Sequence, residues 1–223
     1  MKKKPNLKKI LFWTLLVTLV GSIGFASFKT VTTPATAVVQ EGERLRSDYV
    51  LMLVQCALGL LVMFLPSILE HRLDISFPNY MSIMFFVFLY CAIYLGEVRS
   101  FYYVIPHWDT LLHAMSAMML GAFGFSLVSF LNDAPATQVN LSTRFVALFA
   151  FCFALTVGAL WEIYEFSFDG LLGMNMQKFR TEAGVALVGR AALADTMKDI
   201  ITDAIGALLI SLIGALTLEK KKE

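Results

Sequence analysis

Residues 194–218, ADTMKDIITDAIGALLISLIGALTL, decide how this chain is read. The stretch exceeds the roughly 20 mostly apolar residues that a membrane-spanning helix needs. Yet it carries Asp195, Asp199 and Asp203. At about 100° per residue, positions four apart share one face, so the three acids form a stripe. The stripe reaches about 12 Å down the helix at 1.5 Å per residue. Gly206 extends it and leaves room for a neighbouring helix. Asp203 lies about three turns into the span, where an acid does not face lipid.

Five more segments qualify as spans, at about 10–28, 49–69, 80–98, 109–131 and 144–168. Composition agrees. The chain is 58% hydrophobic and 16% charged, against about 25% charged in soluble domains. The expected fold is an all-α integral membrane protein, a bundle of about six transmembrane helices forming one polytopic domain over residues 1–223. The lipid bilayer is its expected partner. A net charge of +1, with no basic or aromatic binding motif, gives no sign of nucleic acid. Cys56, Cys91 and Cys152 sit in apolar runs, as inert thiols do, with no disulfide framework and no CxxC site.

The first segment has two readings. Met1-Lys2-Lys3-Lys4, Lys8 and Lys9 precede an apolar run from Ile10 to Ala26, and Ala35-Thr36-Ala37 resembles a signal-peptide cleavage motif. The run is long for a signal peptide and the motif lies far beyond it, which favours a retained helix over residues 1–30. Lys and Arg near helix ends set orientation. With the N-terminus inside, the basic residues of both termini are cytoplasmic, as an even number of spans requires. The expected localisation is the cell (inner/cytoplasmic) membrane, multi-pass, with both termini cytoplasmic.

That topology brings further acids to the same end as the stripe. Asp109 and His113 open the fourth segment, and Glu162 and Glu165 lie near the end of the fifth, with Asp169 one turn on. Spacings of three and four stack each pair on one helix face. Helix 4 starts outside, helix 5 ends outside and helix 6 starts outside, so one shared pocket is expected. Clustered carboxylates repel, and charges at membrane depth are costly. A metal ion, shared protons or a basic partner would relieve both. The candidate partners are Arg99, Arg180, Arg190 and Lys198, the last pointing away from the stripe. Taken singly, each set has a plainer reading: an interfacial helix start, an aromatic belt with snorkelling acids, or polar glue between helices.

One His among carboxylates suits an oxygen-rich site for Mn²⁺, Mg²⁺ or Ca²⁺, with Zn²⁺ preferring more His or Cys. The metal ligands expected are His113, Glu162, Glu165, Asp195, Asp199 and Asp203. Asp109 would orient His113 or act as a base, making Asp109 and His113 the expected catalytic pair. His107, at the mouth of helix 4, would gate or extend the site, and His71 reads as an interfacial charge. No HExxH, GxSxG or P-loop assigns a reaction.

The runs Trp108-Asp109-Thr110-Leu111-Leu112-His113, Trp161-Glu162-Ile163-Tyr164-Glu165 and Asp195-Thr196-Met197-Lys198-Asp199, with Gly206-Ala207-Leu208, resemble the YjdF-like bacterial inner-membrane proteins. That family shows an Asp-x-x-x-His pair, a Glu-x-x-Glu pair and an Asp-Thr-x-x-Asp helix ending in Gly-Ala-Leu. The likeness covers residues 105–210. Asp203 stands where the family pattern admits an apolar residue. A looser likeness to VanZ-like membrane proteins implies a cell-envelope setting. The family has no established activity, so the resemblance implies a shared site without its chemistry. Three functions follow as expectations. One is a metal-dependent hydrolase or transferase acting on a lipid or envelope precursor. The second is an ion- or proton-coupled transporter, and the third a structural membrane protein held by a polar cluster.

Overall fold

The computed structural model describes residues 6–34, 44–74, 76–133, 141–181 and 185–220. Ala35-Thr36-Ala37, Lys2 to Lys4, Lys221 and Lys222 lie outside them, as do Glu182 and Gly184 of the last loop. Six helical stretches are long and apolar enough to cross a membrane: Leu7–Thr32, Arg46–Arg72, Asn79–Val98, Trp108–Ser129, Thr143–Leu172 and Ala194–Glu219. Among the described residues there is no strand, only one bridge between Arg180 and Ala186. The chain is an all-helical membrane protein. Its contacts group it into two units, Met1–Trp108 and Asp109–Glu223.

The first unit holds α1 (Leu7–Thr32), α2 (Arg46–Val62), α3 (Leu65–Leu73), α4 (Asn79–Leu89) and the short α5 (Phe101–Val104). The second predicted span breaks between α2 and α3, where Pro66 has no amide hydrogen to donate and takes the first turn of the new helix. The third changes its winding: Tyr90–Val98 is a π-helix, ending with Arg99 N donating five residues back to Tyr94 O at 2.9 Å. Leu15, Leu19, Met52, Cys56, Phe86, Leu89 and Ile93 interlock in the core. Arg44 fastens the π-helix end by donating to the carbonyl of Glu97 at 2.7 Å and to Ser100 Oγ.

The second unit holds α6 (Trp108–Asp133), α7 (Thr143–Leu172) and α8 (Ala194–Lys220). Ser142 caps α7 by accepting from Phe145 N at 3.3 Å. The fifth span, expected to end at about residue 168, continues to Leu172, where Gly173 takes φ +67° and donates its N–H to Asp169 O at 3.0 Å. Asp169 is therefore a helix residue. Small residues let the three helices approach closely, as between membrane helices generally. A Cβ on Gly206 would sit 3.1 Å from both Ala114 O and Ala117 Cβ, so the glycine does seat a neighbouring helix below the acids. Large apolar side chains such as Leu160, Phe166, Ile205 and Leu212 stay exposed, as lipid-facing residues do.

Candidate functional site

The site grows from His113, one turn inside α6 and 8% exposed. Its two ring nitrogens meet different carboxylates. Nδ1 lies 3.2 and 3.3 Å from the two oxygens of Asp203 on α8. Nε2 lies 3.8 Å from Asp109 Oδ1, 4.0 Å from Glu162 Oε1 and 4.0 Å from Asp199 Oδ2. Asp203, only 2% exposed, fits because Gly158 on α7 has no side chain; a Cβ there would strike Asp203 Oδ2 at 2.2 Å.

Donor atoms of His113, Glu162 and Asp199 all lie within 4.8 Å of one another, and all three residues are buried. Asp109, Asp195 and Asp199 form a second set within the same limit, so Asp199 belongs to both. Glu162 is 4% exposed, yet neither carboxylate oxygen has a hydrogen-bond partner among the described residues. Gln177 and Thr196 stand beside it as the neighbouring neutral donors; Gln177 Nε2 donates to Thr196 Oγ1 at 2.8 Å, which leaves the Thr196 hydroxyl hydrogen free to turn toward Glu162. Asp199 is 3% exposed and accepts no hydrogen bond from a described residue.

The α7–α8 loop supplies a cation. Lys178 Nζ donates to Asp109 Oδ2 and, at 3.2 Å, to Asp195 Oδ1. Burial alone would pull its pKa down, but the two carboxylates outweigh that and hold the ammonium above its usual range. The loop is pinned locally. Buried Asp169 accepts from Met176 N at 2.7 Å and Gln177 N at 3.0 Å. Asn175 bonds both backbone groups of Arg180, at 2.8 and 3.1 Å. Arg180 donates to the carbonyls of Gly173 and Met174.

Six residues expected in one pocket therefore do converge: Asp109, His113, Glu162, Asp195, Asp199 and Asp203. Glu165, expected as a ligand, is turned aside. It accepts from Trp161 Nε1 at 2.9 Å and lies outside both donor sets. A spacing of three residues leaves the two glutamates about 60° apart on the helix, which lets Glu165 join the aromatic row of exposed Trp161 and half-buried Tyr164 and Phe168. Asp203, also expected as a ligand, faces the other ring nitrogen, Nδ1, while Asp109 lies on the Nε2 side. Lys178 was absent from the expected cations. Of those, Arg180 is spent on loop carbonyls, Arg190 and Lys198 are exposed, and Arg99 belongs to the first unit. The available signal was its place in the segment joining two acid-bearing helices. His107 lies in an exposed turn of the first unit with φ +60°.

An uncharacterized protein of Thermotoga maritima is 26% identical over 147 residues, which make up 64% of this chain and 66% of that relative. No solved structure matches the chain. Residues 11–220 match the family described as predicted membrane protein (DUF2238), and the chain belongs to that family, in keeping with its resemblance to the YjdF-like membrane proteins.

Proposed function

We propose that the second unit holds one divalent cation between His113 Nε2, Glu162 and Asp199, and uses it for hydrolysis or group transfer on a lipid or envelope precursor. The supporting observation is Glu162, a buried carboxylate facing an imidazole nitrogen with no hydrogen bond to either oxygen. Leaving a carboxylate in that condition costs several kcal/mol, and a bound cation removes the penalty. An ion with bonds of about 2.1 Å holds its donors about 3–4.2 Å apart. The 4.0 Å separations from His113 Nε2 to Glu162 and Asp199 fit that range. An Nδ1–H donated to Asp203 would leave the Nε2 lone pair free, the usual support of a ligating histidine. One nitrogen with carboxylate oxygens suits Mn²⁺ better than Zn²⁺.

A bound cation would supply Lewis acidity and an acidified water. Asp109, with Oδ1 3.8 Å from the same nitrogen, is the group to accept a proton there. Its other oxygen accepts a hydrogen bond from Lys178 Nζ. The site's place at the helix ends, where headgroups lie, favours a lipid-linked substrate. Purified protein in detergent should bind one Mn²⁺ per chain by electron paramagnetic resonance, and Glu162→Gln should abolish binding. Wild-type protein that takes up no divalent ion would sink the proposal.

One observation favours a second reading. His113 is surrounded by four carboxylates drawn from three spanning helices, the kind of group that relays protons in transporters. That reading expects proton or ion flux in proteoliposomes, lost in Asp199→Asn. Flux equal in wild type and variant would exclude it.

A further inference from the structure

We propose that the Lys178 ammonium is the built-in occupant of a second cation position, formed by Asp109, Asp195 and Asp199, and that it limits the centre to one exchangeable ion. The three carboxylates offer oxygens within 4.8 Å of one another, as close as the donors of the first set. A cation already sits against two of them, Nζ of Lys178 on Asp109 and Asp195. The third, Asp199, is buried, receives no hydrogen bond from a described residue, and is common to both sets. A shared carboxylate between two cation positions is the arrangement of two-ion centres, whose ions lie about 3.5–4 Å apart. Here one of the two charges is carried by the chain.

The tether gives this ammonium its advantage over ions from solution. Asp169, Asn175 and Arg180 fix the backbone on both sides of Lys178, so its effective concentration at the acids is high. Lysine also suits the place chemically, being a compact point charge rather than a planar fork. Without it, Asp109 and Asp195 would face each other uncompensated, and an ion from solution would take its place. The inference rests on the reading above only through Asp199, which both positions share.

Mn²⁺ titration of the full chain in detergent, counting bound ions per chain, tests this. Lys178→Met should bind one ion more than wild type, and Lys178→Met with Asp195→Asn should lose that ion. Equal numbers in wild type and Lys178→Met overturn the inference while leaving the His113 site intact. If wild type binds none but Lys178→Met binds one that Asp195→Asn removes, the His113 site fails while the ammonium's occupation of the second position stands. A second measurement needs no variant: acylation of Lys178 by a succinimidyl ester, read by peptide mass spectrometry, should stay far slower than that of exposed Lys198 while Mn²⁺ fills the first position, and acylation as fast as that of Lys198 overturns the inference.

Discussion

Glu162 separates a ligand site from structural glue. Its carboxylate is buried beside Asp199 and His113 without a hydrogen bond to either oxygen. In chelator, replacing it with the equally large but neutral Gln should raise the melting temperature, corresponding to about 1–3 kcal/mol of removed burial and repulsion. With Mn²⁺ at about 100 times its Kd, wild type should gain about 2.7 kcal/mol and Glu162→Gln nothing. A Glu162→Gln protein less stable than wild type in chelator would instead support the structural reading. Asp203 makes the complementary case. Asp203→Asn should keep the stoichiometry but weaken Mn²⁺ binding about 10–100-fold, because only the support of His113 is altered. Calorimetric titration distinguishes that from outright loss. Spacing alone identified these acids, since side-chain direction on a helix follows from position. It could not separate Glu165 from Glu162, because that choice belongs to the Trp161 indole N–H.

At the scale of elements, α7 and the loop after it position the site. Gly158 is the opening through which Asp203 reaches His113, so Gly158→Ala should force that carboxylate away. The expected loss is about 1–3 kcal/mol by thermal melting, together with weaker Mn²⁺ binding. Gly170→Ala on the same helix meets nothing within 4 Å; it should be neutral or slightly stabilising, as alanine is the better helix former. Equal losses in the two variants would mean that Asp203 is not the cause. Asp169→Ala should leave two backbone N–H groups unpaired and speed hydrogen exchange at Met176 and Gln177, which mass spectrometry resolves. The hydropathy pattern showed where the helices lie, but not the π-helix at Tyr90–Val98 or the fold of the Lys178 loop. A π-turn leaves composition unchanged. The loop depends on side-chain-to-backbone bonds from Asp169 and Asn175 that have no period.

At the scale of the molecule, the six spans were legible because lipid demands long apolar helices with internally bonded backbones. The grouping of contacts into two units has no such signature, and every expected metal or catalytic residue falls in the second. Charge gives the expectation for which side of the membrane that cluster faces. Eight basic residues at the two termini, Lys2, Lys3, Lys4, Lys8, Lys9, Lys220, Lys221 and Lys222, favour a cytoplasmic location for both. The start of α6, the end of α7 and the start of α8 would then lie outside. In a background with Cys56, Cys91 and Cys152 replaced by alanine, Arg190→Cys should react with a membrane-impermeant maleimide on intact cells. Glu219→Cys should react only after permeabilisation. The reverse pattern would turn the carboxylates toward the cytoplasm and withdraw the envelope substrate. It would leave the ion-binding argument standing, because that argument depends on distances within the second unit and not on the side it faces.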